Sequence, residues 1–356
     1  MKEIVVVTPH LGNGGAERVL SELMSEWTRM DKKVSVIQTN ANRYGNDYEF
    51  SQEINIINLT TTSGKFRRVK QALELCKILS GHPNATVVSF VNTAILVCGI
   101  ASFIFKNKLI FSERCDPERT PDKKIQRTVR DQIFKRADAC VFQTTMAMEH
   151  FPKSVQRKGV IIKNPINPLL PEPYRGIRKK TIIAACQLTD QKNVPMLINA
   201  FAKFYESNKD YRLEIYGRGV REAELRELIK TLGLEKHAFL MGFSDDIYEQ
   251  MKDCAMYVSS SDYEGISNSM LEALGLGLPS ICTDCPVGGP REIIEDGING
   301  LLVPVGDVEA LCEAMKRIAD DSVFAERLSE NAVKVRNKFA ISEVSQEWLQ
   351  LMNRIE

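Results

Sequence analysis

Along the first half of the chain, short aliphatic and β-branched runs alternate with longer stretches whose apolar positions recur every three or four residues. Residues 3–8 and 34–39 read as strands, with an amphipathic helix over 15–30 between them. Residues 54–59 predict a third strand and Arg67–Leu79 a helix. The stretch 84–105 carries no charged residue and is long enough to span a bilayer. It divides instead: residues 86–90 are β-branched and strand-like, Asn92 and Thr93 open a helix, and 95–105 continue it as a buried segment diluted by Gly99 and Ser102. A strand over 108–112, a helix over 125–137 and a strand over 139–143 follow. Strands alternating with helices imply βαβ units, and so a parallel sheet covered on both faces.

Four prolines between Pro165 and Pro173 interrupt the pattern, because neither a helix nor a central strand accommodates them. The alternation then restarts. Strands are predicted over 181–186, 212–216, 238–241, 256–259, 280–283 and 300–303, with helices over 194–206, 221–232, 246–254 and 266–276, and a mostly helical tail from Val308. The reading is α/β: two doubly wound, Rossmann-like domains, residues 1–165 and 174–340, facing each other across a cleft. A C-terminal helix over 341–356 is expected to pack back toward the first domain. In such sheets ligands bind beyond the carboxyl ends of the strands, so the loops after strands are where chemistry is expected.

Composition changes this picture little, and charge changes it more. A 356-residue chain with 44% hydrophobic and 26% charged residues is an ordinary globular one, neither fibrous nor disordered. The net charge of +1 conceals an asymmetry: residues 1–165 sum to +9 and residues 166–356 to −8. The first half is therefore expected to meet something anionic: nucleic acid, an anionic membrane surface or a phosphorylated acceptor. Nine cysteines without regular spacing suit a reducing cytoplasm. Cys282 and Cys285 form a CxxC with no other metal-ligating residue nearby, which packing in a strand end explains. A buried strand beginning almost at once, with no charged leader, argues against a signal peptide.

Two loops carry candidate chemistry. After the first strand, Pro9-His10-Leu11-Gly12-Asn13-Gly14-Gly15 leads into a helix. Strand, glycine-rich turn and helix is the arrangement that brings backbone N–H groups against a phosphate, and Gly14 and Gly15 leave room for it. The turn is neither a GxGxxG nor a Walker A sequence, so a tight strand-to-helix connection explains it equally well. The second loop is Asp262-Tyr263-Glu264-Gly265-Ile266-Ser267-Asn268-Ser269-Met270-Leu271-Glu272. Its glutamates would lie about 12 Å apart on a helix, too far for a paired-carboxylate hydrolase acting on one bond. That spacing suits the two ends of an extended ligand. The N–H groups of Gly265, Ile266, Ser267 and Asn268 would open the helix toward a diphosphate.

Here the sequence resembles glycosyltransferase family 4, retaining enzymes of the GT-B fold, over nearly its whole length. The motifs are Gly14-Gly15-Ala16-Glu17-Arg18, Gln187-Leu188-Thr189-Asp190-Gln191-Lys192-Asn193, Gly217-Arg218-Gly219, Glu264-x7-Glu272 and Gly288-Gly289-Pro290-Arg291-Glu292. Within the family it is similar to bacterial enzymes that build surface polysaccharides or polyprenyl-linked oligosaccharides. The resemblance implies an N-terminal acceptor-side domain and a C-terminal nucleotide-sugar domain. It places Glu264 at the transferred sugar, Lys192 against the leaving pyrophosphate, Glu272 on the ribose hydroxyls, and Gly14 and Gly15 at the donor phosphates. Gly217, Phe243, Gly265, Ile266, Ser267 and Asn268 complete the implied donor site, Phe243 beside the base. The implied reaction moves a hexose or N-acetylhexosamine from a nucleotide-diphosphate sugar, UDP-sugar ahead of GDP-sugar, to a glycan or polyprenyl-diphosphate-linked acceptor. Transfer is front-face with retention, the departing phosphate taking the acceptor proton. No resident cofactor or fixed metal is expected, since Asp262 lacks a DxD partner.

Two departures from the family pattern stand out. Gln187 occupies a position that is usually arginine, and the loop Ser112-Glu113-Arg114-Cys115 lacks a histidine often found there; Arg114 is the candidate to restore the missing charge. Lys65, Arg67, Arg68 and Lys70 form one basic group and Lys123, Lys124, Arg127 and Arg130 another. Each is either a solvated helix face or a contact for acceptor or lipid phosphate. Arg114, Lys65, Arg67, Arg68 and Lys70 are the acceptor candidates. Sparse aromatics near them argue against nucleic acid as a partner. The expected setting is the cytoplasm, with peripheral contact at the anionic inner face of the cell membrane. Two other readings use the same architecture: a nucleotide-sugar epimerase, which needs no acceptor, and a catalytically degenerate donor-binding scaffold.

Overall fold

The computed structural model describes residues 3–12, 14–40, 53–60 and 63–355. Asn13 of the glycine-rich turn lies outside them. Contacts divide the chain into two units, Met1–Pro165 with Ile341–Glu356, and Ile166–Ala340.

The first unit runs β1 (Ile4–Thr8), α1 (Gly15–Arg29), β2 (Val34–Gln38), β3 (Asn55–Asn58), α2 (Arg67–Leu79), β4 (Thr86–Ser89), α3 (Asn92–Ala101), β5 (Lys108–Glu113) and α4 (Lys124–Phe134). It continues with β6 (Ala139–Phe142), α5 (Thr145–His150), α6 (Lys153–Gln156) and β7 (Gly159–Ile161). The strands form one parallel sheet in the order β3-β2-β1-β4-β5-β6-β7, Ile4 standing opposite both Val34 and Thr86. Strand order reverses between β1 and β4. With right-handed crossovers, α1 lies on one face of the sheet and α2, α3 and α4 on the other. The apolar stretch that matched a membrane span in length is β4 and α3. Among the described residues no helix is long and apolar enough to cross a membrane.

Side chains alternate between the faces. Ile4, Val6, Val34 and Val36 pack with Leu20, Leu23 and Trp27 of α1. On the other face, Phe111 of β5 meets Phe134 of α4 with ring centroids 5.5 Å apart. The last helix, α14 (Ile341–Arg354), covers the α1 face: Trp348 is fully buried, its ring 6.2 Å from Trp27 and stacked 5.2 Å from Phe90.

The second unit runs β8 (Lys179–Ala185), α7 (Val194–Tyr205), β9 (Arg212–Tyr216), α8 (Glu222–Thr231), β10 (Ala238–Gly242), α9 (Ile247–Met251), β11 (Cys254–Ser259) and α10 (Asn268–Gly275). It ends with β12 (Ser280–Thr283), β13 (Leu301–Val303), α11 (Val308–Asp320), α12 (Ser322–Ala332) and α13 (Val335–Lys338). Its sheet is also parallel, in the order β10-β9-β8-β11-β12-β13. Ile182 and Ala184 of β8 pack with α7, α8, α11 and α12, whereas Ile183, between them, packs with α9, α10 and α13. Here the order reverses between β8 and β11, which pair directly, Ile182 beside Met256. That pairing decides where the site lies, because the loops leaving these two strands must run side by side.

Candidate active site

β8 ends at Ala185, and the chain reaches a single tight turn, Asp190–Lys192. Asn193 then takes a left-handed conformation, φ 39° and ψ 47°, which asparagine tolerates better than most residues. Its side-chain oxygen accepts from the Met196 N–H at 3.3 Å and so caps α7. Its amide donates to Asp262 Oδ1 at 2.7 Å, across to the loop after β11. Three further bonds join the two loops: Asp262 N–H to the Gln191 carbonyl (2.8 Å), Gln191 Nε2 to the Tyr263 carbonyl (2.9 Å) and Ser260 Oγ to the Lys192 carbonyl (2.9 Å).

The consequence is an ion pair. Lys192 Nζ contacts Glu264 Oε2, with the two side chains 16% and 15% exposed. Ser261 Oγ donates to the same carboxylate oxygen at 3.2 Å, and the Glu264 N–H donates to the Pro286 carbonyl at 2.7 Å. The residues singled out for the sugar and for the pyrophosphate are therefore direct neighbours, which the sequence did not disclose. A cation and a carboxylate held together in a half-shielded place offer a donor's phosphates a positive charge and its sugar hydroxyls an acceptor.

Backbone packing explains two of the glycine motifs. A Cβ on Gly289 would stand 1.8 Å from the Gly265 carbonyl oxygen, so only glycine lets the turn after β12 lie against the Glu264 loop. Gly217 has φ +136°, and a Cβ there would stand 1.8 Å from the Cys186 carbonyl oxygen. It donates its N–H to the Gly242 carbonyl at 2.7 Å, tying the loops after β8, β9 and β10 together.

Helix α10 begins at Asn268, later than residue 266 as the pattern suggested. Ser267 is its N-cap, accepting from the Met270 N–H at 3.4 Å. Gly265 and Ile266 thus belong to the loop, and the helical rise does not measure the separation of the two glutamates. Glu272, within α10, is 3% exposed and accepts from Tyr248 Oη at 3.2 Å; Tyr248 Oη in turn accepts from Asn167 Nδ2 at 2.9 Å. Tyr248 and Asn167 are residues that motif reading passed over, since neither sits in a recognisable pattern. Phe243, just past β10, is 54% exposed. Gln187 is exposed.

Around the ion pair the thiols are inert. Burial pushes Cys186 up to about 11 and Cys285 up to about 12, and raises Cys282 as well. All are free, and among the described residues no group of three metal-ligating side chains occurs. A cavity of about 720 Å³ lined by Tyr174, Arg178, Lys180, Tyr211 and Glu326 opens at the opposite, amino-terminal ends of β8 and β11 and is separate from this site.

In the first unit, Gly14 precedes α1 with its N–H donating to the Gly12 carbonyl at 2.8 Å, and Gly15 is the first helical residue. The Arg114 guanidinium is packed inward: it stacks 4.2 Å over Phe90, reaches the Ile162 carbonyl at 3.5 Å, and burial pushes it down to about 9. Lys65 precedes α2; Arg67, Arg68 and Lys70 occupy its first turn, Lys65 and Lys70 exposed and Arg67 and Arg68 half-buried.

Comparison with known proteins identifies the second unit. Residues 175–335 match the family described as glycosyl transferases group 1. The second unit is a glycosyl transferases group 1 domain. Similar relatives include an N-acetylgalactosamine-N,N'-diacetylbacillosaminyl-diphospho-undecaprenol 4-alpha-N-acetylgalactosaminyltransferase of Campylobacter jejuni, 33% identical over 46% of this chain and 43% of that protein. A second enzyme of that organism, a GalNAc-alpha-(1->4)-GalNAc-alpha-(1->3)-diNAcBac-PP-undecaprenol alpha-1,4-N-acetyl-D-galactosaminyltransferase, is 24% identical over 100% of this chain and 99% of its own. An uncharacterized glycosyltransferase of Methanocaldococcus jannaschii is 30% identical over 66% of this chain and 64% of its own length. The chain spans 20% of an exopolysaccharide phosphotransferase of Streptomyces coelicolor, 43% of the first Campylobacter enzyme and 64% of the Methanocaldococcus protein. Among solved structures, Anabaena HepE with UDP and glucose superimposes with TM-score 0.84 at 17% identity, over 99% of this chain and 100% of that one. Sucrose-phosphate synthase of Thermosynechococcus elongatus gives 0.86 at 17% identity, over 100% and 99%. The architecture is GT-B: two doubly wound, Rossmann-like units with a helical C-terminal tail.

Proposed function

We propose that this glycosyl transferases group 1 chain moves a hexose or N-acetylhexosamine from a UDP-sugar to a glycan or polyprenyl-diphosphate-linked acceptor, with retention and without a resident metal. The observation that carries this reading is the Lys192–Glu264 contact where the loops after β8 and β11 meet, at the switch point of the second sheet.

Lys192 exchanges its carboxylate partner for the donor pyrophosphate. As the bond from the anomeric carbon to the phosphate oxygen lengthens, negative charge gathers on the departing diphosphate, and the ammonium stabilises it there. Glu264, released, accepts from the sugar hydroxyls. Glu272 accepts from the ribose hydroxyls, held by the Tyr248 hydroxyl. The acceptor oxygen bonds to the anomeric carbon on the face the diphosphate leaves, and its proton passes to the leaving phosphate oxygen. Gly14, Gly15, Gly217, Phe243 and the loop Gly265–Ile266–Ser267–Asn268 contact the donor in this reading. Arg114 contributes as a fixed positive charge, and Lys65, Arg67, Arg68 and Lys70 meet the acceptor's phosphates. The undecaprenol-linked substrates named for the Campylobacter relatives and the UDP bound to HepE support these choices of acceptor and base. The setting is the cytoplasm, against the inner face of the cell membrane.

The test incubates the chain with UDP-sugars and undecaprenyl-diphosphate-linked saccharides and weighs the acceptor. A new glycosidic bond, lowered about 10²–10³-fold in Lys192→Met, is the expected result. Epimerised donor without acceptor gain would establish the epimerase; donor left unconsumed would establish the scaffold.

A further inference from the structure

We infer that the linker preceding β8 forms part of the donor site: Asn167, acting through Tyr248, aims the Glu272 carboxylate and so sets the preference for ribose over deoxyribose. The inference rests on the donor reading above and deepens it. All three residues lie in the second unit.

Chemistry fixes the direction of each hydrogen bond. A backbone N–H can only donate, so the Leu169 N–H, 2.8 Å away, makes Asn167 Oδ1 its acceptor. The amide nitrogen of Asn167 then faces Tyr248 Oη at 2.9 Å, and it too can only donate. The tyrosine oxygen accepts, and its single proton turns to Glu272 Oε1 at 3.2 Å. That bond takes one of a carboxylate's roughly four acceptor sites and fixes the orientation of the group. Each donor in the series polarises the next, so losing the first weakens the last.

The linker is held where this relay needs it. Ile166 and Leu170 are buried in the same core as Leu271 and Leu274 of α10. Gly275 leaves them room: a Cβ there would stand 2.7 Å from the Leu170 side chain. Arg336 of α13 ties linker to helix, donating to the Leu170 and Pro171 carbonyls at 3.1 and 2.6 Å and to the Gly275 carbonyl at 3.2 Å. Pro168, Pro171 and Pro173 fix φ along the segment, so Asn167 is carried on a strap rather than a loose tether. A carboxylate held in one orientation accepts from the ribose hydroxyls without first being ordered. A site built to bond hydroxyls also rejects an analogue that lacks them. The relay therefore acts only on ligands that carry those hydroxyls, whereas a purely structural role would affect every ligand alike.

The experiment titrates the full chain calorimetrically with UDP and with its dideoxyribose analogue, which lacks both ribose hydroxyls. Tyr248→Phe keeps the ring and removes the relaying hydroxyl. Asn167→Asp keeps the size and the acceptor for Leu169 but turns a second acceptor oxygen toward Tyr248, drawing the tyrosine proton away from Glu272. The wild-type chain is expected to favour UDP by about tenfold or more, as hydrogen bonds to a charged group allow. Each variant should cut that preference by about fivefold or more, through lost UDP affinity, with affinity for the analogue unchanged. An undiminished preference in both variants overturns the relay and leaves the donor site standing. Equal loss of both ligands in both variants also overturns it, since the two residues would then only support the fold. Equal binding of the two ligands by the wild-type chain removes the Glu272 assignment and the relay with it. Absence of uridine binding removes the donor reading itself.

Discussion

Lys192 and Glu264 stand 72 residues apart in the chain and share an ion pair. Glu264 was legible in the loop between a strand and a helix, and Lys192 through the family resemblance. Their contact was not, because it depends on β8 and β11 being neighbours, and strand order is not written in local pattern. Lys192→Met keeps most of the side chain's bulk and removes the charge. It should lower transfer about 10²–10³-fold while melting within a few degrees of wild type, a pairing that separates lost chemistry from lost fold. Gly289 poses the opposite case. Gly289→Ala drives a methyl into the Gly265 carbonyl, so stability measured by urea should fall by about 1–3 kcal/mol and donor binding with it. The motif Gly288-Gly289 was visible in the sequence; the carbonyl that requires it was not.

Glu113 offers a residue-scale prediction away from the site. Burial raises its carboxyl to about 7, with Arg130 and the N–H groups of Cys115 and Arg114 pulling the other way. An unfolded chain releases this proton near 4.5, whereas the folded one holds it to about 7. Between those values the native state binds more protons than the unfolded one, so stability is full below about 4.5 and falls as pH rises toward 7. The slope is up to about 1.4 kcal/mol per pH unit. Glu113→Gln should flatten that part of the curve, read by urea unfolding at several pH values.

Among elements, those with strong period and clear ends were legible. Arg67–Leu79 is helical over the residues its pattern indicated. The misses have local causes. Helix α10 starts at Asn268 because the Ser267 hydroxyl caps it, and apolar Ile266 extended the pattern too far. The three-residue β7 and the short α5 and α6 are too brief to show a period, and pairing with β6 defines β7. Asn193 joins two elements at once, as cap of α7 and as tether to Asp262. Asn193→Ala should cost about 1–2 kcal/mol of stability. Transfer should fall further than that loss alone produces, because the turn carrying Lys192 is released; kcat measured well below the melting temperature checks it.

For the whole molecule, restarting alternation after a proline-rich stretch announced two doubly wound units, and both sheets are parallel. The pattern did not show how the last helix is held. Trp348 fills the space between Trp27 and Phe90, so Trp348→Ala should cost the first unit about 3–5 kcal/mol. Near-ultraviolet melting should show that loss. The asymmetry of +9 against −8 also belongs to this scale. Exposed Lys70, Lys77, Lys123 and Lys124 carry part of that positive excess, while Lys192 stands within a half of the chain that is net acidic.

In the proposed reaction the Lys192–Glu264 pair marks a uridine-diphosphate-sugar site. Calorimetric titration of the full chain and of Lys192→Met with UDP, GDP, ADP and their sugars tests it most directly. Saturable binding of the uridine ligands, weakened at least tenfold in the variant, is the predicted result. Absence of binding by any of these nucleotides at millimolar concentration, or equal affinity in the variant, would contradict it.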